Sequence, residues 1–184
     1  MKESIVKLSD YNPEWKIQFE DEKRKILEAL GAKVVEIEHI GSTSIKGLKA
    51  KPIIDIMCGV QDLGEVSYLV NPLRNIEYEY VPKPEFKDRR FFRKGACGQG
   101  TSHLHICEWN SSEWIEKILF RDYLRLYPQA AEKYASLKEA LASKFQFDRP
   151  NYTKNKEPFI RTIIEQAKKD ISTNILAESP KYLI

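Results

Sequence analysis

Long apolar runs are missing from this sequence. No stretch approaches the ~18 residues that a membrane-spanning helix needs, and Met1-Lys2-Glu3-Ser4-Ile5 leads into no apolar segment of the secretory type. A membrane partner is therefore not expected, and the chain reads as cytoplasmic. Cysteine is scarce. Cys58, Cys97 and Cys107 are odd in number and show no CxxC spacing, which argues against a disulfide framework or a structural zinc site and suits a reducing interior. A dominant charge sign is lacking too: 30 basic against 27 acidic residues leave a net charge of +3, too slight to indicate nucleic acid as the partner. Repeats and low-complexity tracts are absent.

What remains is ordinary for a folded protein, with 42% hydrophobic and 31% charged residues over 184 positions. That length buries a core without covalent staples. Asn12 and Pro13 signal a first helix carrying Trp15, Phe19, Ile26, Leu27 and Leu30, ended by Gly31. A strand from Val34 to Ile40 leads into a polar loop, Gly41 to Lys51. The next strand, Pro52 to Val60, is almost wholly apolar, as a strand covered on both faces would be. A helix through Leu63, Val66, Leu69, Val70 and Leu73 follows, with Pro72, Pro82 and Pro84 punctuating connections. Strands are predicted at Ile76 to Val81, Arg89 to Lys94 and Ser102 to Trp109. From Ser111 the periodicity is helical: one helix through Trp114 to Leu126, one after Pro128, and one beginning near Thr153. The tail after Ile171 carries weak signals. This order predicts an α+β or α/β core, residues 1–110, with a C-terminal helical extension, 111–184, packed on it.

Chemistry concentrates in two stretches. His39 to Asp55 runs from a strand through Gly41-Ser42-Thr43 to a lone carboxylate on a buried strand. Glycine lets a phosphate approach the backbone, hydroxyls donate to its oxygens, and a buried Asp55 calls for a metal ion or a cation such as Lys51. The bland reading is a tight turn and an aspartate bonded to local backbone. In Thr101 to Cys107, His103, His105 and Cys107 share one strand face. Two imidazoles there suit metal binding, phosphate contact or acid–base work, or they bond locally; Cys107 reads as packing. His39 is either a structural residue fixing the turn or a catalytic one. Arg89, Arg90, Arg93 and Lys94 form either an anion-binding cluster or a solvated edge strand.

The string Glu38-His39-Ile40-Gly41-Ser42-Thr43, then Gly47-Leu48, Ala50-Lys51-Pro52 and Ile54-Asp55, resembles the signature of the GrpB family. Arg90 to Gly95, Thr101-x-His103-Leu104-His105, Phe120 to Leu124 and Tyr152-Thr153-x-x-Lys156 fit it in order, from about Ser4 to Ala167. Lys46 departs, since such proteins usually carry proline before Gly47. The resemblance implies a nucleotidyltransferase-like mixed sheet with flanking helices. It places Gly41, Ser42, Thr43 and Lys51 on phosphate and Asp55 at a metal-ligand position. It further implies a nucleotide or phosphorylated small molecule as ligand, with nucleotidyl or phosphoryl transfer assisted by Mg²⁺ or Mn²⁺. In that reading Asp55, His103 and His105 hold the metal, and Asp55, His103, Arg93 and Lys94 do the catalysis. Nucleotidyltransferases generally carry a second acid two residues on, where this chain has Met57. Two alternatives follow: a non-catalytic folding or assembly partner, for example of a coenzyme A pathway kinase, and a metal-dependent hydrolase built on the histidine face.

Overall fold

Asn12 caps the first helix as its sequence predicts. The computed structural model describes residues 5–64, 66–96 and 99–172, and its helix α1 spans Glu14–Leu30. Asn12 Oδ1 accepts the Glu14 N–H at 3.0 Å. Gly31 closes the helix at φ +56°, returning its N–H to the Leu27 carbonyl. Cys97 and the tail beyond residue 172 lie outside the described residues.

Five strands follow: β1 Val34–Ile40, β2 Ile54–Val60, β3 Tyr78–Tyr80, β4 Arg89–Lys94 and β5 Ser102–Glu108. They form one mixed sheet in the order β1-β2-β5-β4-β3. Only the β2–β5 pair is parallel among these strands, and its register sets Asp55 beside His103. The apolar run of β2 is explained by its central place: Ile54, Ile56, Met57, Cys58 and Val60 are all buried. The strand starts later than Pro52, which has no N–H to give; Ile53 instead bonds the Lys51 carbonyl at 2.8 Å.

Helices cover both faces. On one, α1 and α2 (Ser67–Asn75) pack Phe19, Ile26 and Leu73 against Ile37, Ile56 and Leu104. On the other, α3 (Ser112–Leu126) sets Trp114 and Ile118 on Ile40, Met57 and Cys107. Helices α4 (Pro128–Lys144) and α6 (Glu157–Ser172) then pack on α3 through Phe120, Leu124, Tyr134, Ile163 and Ile164, with Ile45 and Leu48 of the loop after β1 in the same cluster.

Two expectations are corrected. Pro72 does not punctuate a connection but lies inside α2. Its missing N–H would have served the Tyr68 carbonyl, which accepts from Lys33 Nζ at 3.3 Å instead. The single helix expected from Thr153 is two: α5 (Arg149–Lys154), capped by Asp148, and α6, which starts at Glu157 just before Pro158. Among the described residues no helix is long and apolar enough to cross a membrane.

β1 is an edge strand, and its outer side is covered by charge rather than by another strand. Lys23 Nζ donates to the Ile37 carbonyl at 3.1 Å. Arg121, 2% exposed, donates to the His39 carbonyl at 3.1 Å, to Glu38 Oε2 at 2.5 Å and to Asp122 at 2.6 Å. A desolvated guanidinium is tolerable only with such full pairing, and removing one partner strands the others. Arg121→Met is expected to cost about 3–5 kcal/mol in urea unfolding, and adding Glu38→Gln should recover part of the loss.

Candidate functional site

The turn after β1 is gripped from both sides. Gly41 takes φ +69°, ψ −173° and leads into a short 3₁₀ turn, Ser42–Ser44. Arg121 holds the carbonyl of His39 before the turn, and Arg125, one helical turn further along α3, holds the carbonyl of Ser44 after it at 2.9 Å. Beneath, the Asp55 carboxylate lies so close that a Cβ on residue 41 would meet Asp55 Oδ2 at 2.5 Å. His39 resolves to the structural role. Its ring stacks on Phe19 with centroids 4.7 Å apart, and Nε2 meets Thr43 Oγ1 at 3.0 Å. Thr43 donates its own proton to the Ile53 carbonyl at 3.3 Å, so Nε2 of His39 carries the hydrogen. Burial pushes the His39 pKa down to about 4, which keeps this ring neutral.

Asp55 Oδ1 bonds His103 Nδ1 at 3.0 Å. Burial works to raise the Asp55 pKa, but the His103 bond, with help from the charge of Lys51, holds it below the usual carboxylate value. An ionised carboxylate only accepts, so the proton of this bond sits on Nδ1. The pair faces a cavity of about 220 Å³ lined also by Ser42, Lys51, Lys138, Arg149, Tyr152 and Lys156. Lys51 and Lys156 lie over the Tyr152 ring, at 5.7 and 4.5 Å from its centroid. Lys138, 1% exposed, donates to Ser42 Oγ at 3.1 Å and to the Lys49 carbonyl. Burial, then Arg149 and Lys156, push Lys51 down to about 8. Burial, then Lys156, push Lys138 down to about 7. Burial and Arg149 lower Lys156 as well, against the pull of Asp55.

Of the residues singled out from sequence, Ser42, Thr43, Lys51, Asp55 and His103 line this one cavity. The Thr43 hydroxyl, however, is committed to His39 and Ile53. Arg93 pairs in register with His103 and so shares its face, but it sits at the margin and binds Glu79 at 2.9 Å. Lys94, one residue on, faces the opposite side of the sheet and pairs with Glu22 at 2.9 Å. His105 is not a lining residue. Burial pushes its pKa down to about 3, and Nδ1 has no partner among the described residues. Cys107 is packing, buried against Met57.

Sequence reasoning missed Lys138, Arg149 and the siting of Lys156. For Lys138 a signal was present: it stands four residues after Tyr134 and three before Leu141, on the buried stripe of α4 where an apolar residue belongs. A larger groove of about 810 Å³ runs between α1, β1 and α4, but its lining mixes acids such as Glu20, Glu36 and Glu132 with Lys16 and Lys23. It converges on no chemistry.

A divalent metal fits this donor set poorly. Among the described residues, no three His, Cys, Asp or Glu side chains are placed to share an ion. In the cavity Asp55 is the one carboxylate among the described lining residues, with one oxygen on His103 and the other against Gly41, while the surrounding cations would repel an incoming ion.

A family model described as GrpB protein matches residues 5–166. UPF0157 protein YqkA of Bacillus subtilis (strain 168) is 36% identical over 166 residues, covering 89% of this chain and 48% of that protein, so the chain spans about half of that relative's length. Glutamate-rich protein GrpB of Alkalihalophilus pseudofirmus is 35% identical over 165 residues, covering 88% of this chain and 95% of that protein. Among solved structures, the crystal structure of conserved protein GrpB from Enterococcus faecalis superposes with TM-score 0.83 at 35% identity, covering 90% of this chain and 99% of that one. A cytoplasmic RNA terminal U-transferase aligns with TM-score 0.50 at 15% identity, over 79% of this chain and 44% of that one. At that identity the likeness concerns the fold alone, and the fold is nucleotidyltransferase-like as the sequence implied.

Gly41→Ala is expected to cost about 3 kcal/mol or more in urea unfolding, through backbone strain plus the clash with Asp55. Gly47→Ala, at φ +80° with nothing within 4 Å, should cost only the strain, roughly 1–2 kcal/mol. Charge gives a second test. Lys138 and Lys51 are charged below about 7 and about 8 and neutral above. Sulfate keeps its charge throughout, so its affinity should fall as pH rises through that window, becoming roughly tenfold weaker by calorimetry at about pH 9 than at about pH 6.

Proposed function

This chain belongs to the GrpB family, and from that premise we propose that its cavity between Ser42 and Lys156 binds the phosphate groups of a nucleotide or another phosphorylated small molecule. One observation carries this reading. Lys51, Lys138, Arg149 and Lys156 converge on one small space, and none of them forms an ion pair with a described residue. Many basic groups elsewhere are paired, as Lys49 is with Glu139 at 3.1 Å and Lys94 with Glu22. Gathering the cavity's four cations against the single carboxylate of Asp55 is costly for folding alone, and an anionic ligand is what offsets it. Lysine supplies a compact charge and arginine a planar fork, which together suit phosphate oxygens. The cavity of about 220 Å³ admits a short phosphate chain, and its cationic lining suits that part of the ligand.

The Asp55–His103 pair extends this reading to transfer. With its Nδ1 proton held by Asp55, a neutral His103 presents Nε2 as a base that can take a proton from an attacking hydroxyl. The arrangement needs only an acceptor beside the phosphate.

Thermal-shift measurements with nucleosides, phosphate monoesters and nucleoside di- and triphosphates test the proposal. Phosphorylated ligands should raise the melting temperature and unphosphorylated nucleosides should not. Lys51→Gln should weaken the phosphorylated ligands by roughly tenfold or more, the worth of one charge-assisted contact. Equal shifts from a nucleoside and its triphosphate would sink the phosphate reading. Release of pyrophosphate from a triphosphate, lost in His103→Gln, is the expected mark of transfer.

A further inference from the structure

We infer that this cavity takes its phosphate chain free of divalent metal, with protein cations in the place that metal ions occupy in other phosphate-handling sites. The inference rests on the phosphate reading and concerns the form in which the ligand arrives. Its ground is the donor set. A metal-bridged phosphate normally has one or two carboxylates on the metal, with water or further oxygen ligands around it, in a setting that welcomes added positive charge. Here, among the described lining residues, Asp55 is the one carboxylate, against Lys51, Lys138, Arg149 and Lys156.

Geometry points the same way. Asp55 Oδ1 is already bonded to His103 Nδ1 at 3.0 Å, and turning it to an ion would break the bond that orients His103. Oδ2 lies under the turn, 2.5 Å from where a Cβ of residue 41 would stand. His105 cannot come to help, because it is buried off the cavity and tilted against Phe91 with ring centroids 5.0 Å apart.

The cations are built in rather than casual. Lys138 comes up through the floor, 1% exposed and fixed by Ser42 and the Lys49 carbonyl. Lys51 and Lys156 are both positioned over the Tyr152 ring. With all four cations protonated, four positive groups against one negative group leave a surplus that a trianionic pyrophosphate group balances, and its charge keeps the lysines protonated. The same group carrying a divalent ion would leave the surplus largely unmet, and would bring a further positive charge against the lysines.

Asp55 then has a different task from a metal ligand: it orients His103, and it opposes the anion. That makes the two accounts separable. The test is calorimetric titration of the full-length protein with inorganic pyrophosphate, once in EDTA and once with Mg²⁺ in excess over pyrophosphate. Binding in EDTA, weakened about tenfold or more by Mg²⁺, is the expected result. Asp55→Asn should tighten pyrophosphate binding in EDTA, and Lys156→Gln should weaken it roughly tenfold, both at wild-type melting temperature within a few degrees. Lys156→Arg, keeping the charge, should retain most of it and so separate lost charge from lost packing. Binding that is equal or tighter with Mg²⁺, or that disappears in Asp55→Asn, overturns the metal-free account while leaving the phosphate reading standing. No binding in either buffer overturns both.

Discussion

The site depends on a contact that leaves no room for a side chain: the backbone of Gly41 against the carboxylate of Asp55. β1 and β2 are antiparallel neighbours, so the end of one lies over the start of the other. A turn leaving β1 at that point must pass directly above the acid. Glycine alone permits both the approach and the positive φ. Arg121 and Arg125 then fix the carbonyls on either side. A buried arginine beside an edge strand adds little stability for its burial cost, but it gives the turn one position. His39 and Thr43 complete the support from the other side of the sheet.

Around that rigid point the charges are left unresolved. Elsewhere deeply placed charges are paired, as Arg121 is with Glu38 and Lys94 with Glu22. In the cavity burial, and then neighbouring cations, lower the lysine pKa values, and Asp55 only partly opposes this at Lys51 and Lys156. Such frustration is tolerated where binding relieves it. The nucleotidyltransferase-like sheet supplies the placement of turn, acid and histidine. Lys138 of α4, Arg149 of α5, Lys156 just after α5 and Lys51 ahead of β2 supply the cations, and with them a departure from the carboxylate-rich chemistry associated with that fold.

Much of this was legible in the sequence. The strand–Gly-Ser–strand order and the apolar β2 pointed to the Gly41–Asp55 region, and period-two alternation put His103, His105 and Cys107 on one face of their strand, but only the β2–β5 register brings His103 beside Asp55. The same alternation, applied strictly, separates Arg93 from Lys94, which charge clustering had joined. His105 was misleading because sharing a strand face does not mean sharing a cavity: one pleat further along β5, α3 covers the sheet. Lys138 and Arg149 were hidden for another reason. Their positions depend on how α4 and α5 dock, and docking is fixed by packing among Phe120, Tyr134 and Ile163 rather than by any local pattern. Only the lysine on the apolar stripe of α4 betrayed itself.

Cavity walls that span Ser42 to Lys156 also bear on how the protein is made. The sheet is complete once β5 has formed, but Lys138, Arg149 and Lys156 follow tens of residues later, and the parallel β2–β5 pair is itself a contact of long sequence separation. Such contacts close slowly, after local structure. A nascent chain therefore acquires its acid and histidine first and its phosphate grip last, and a bound anion rewards only the finished molecule.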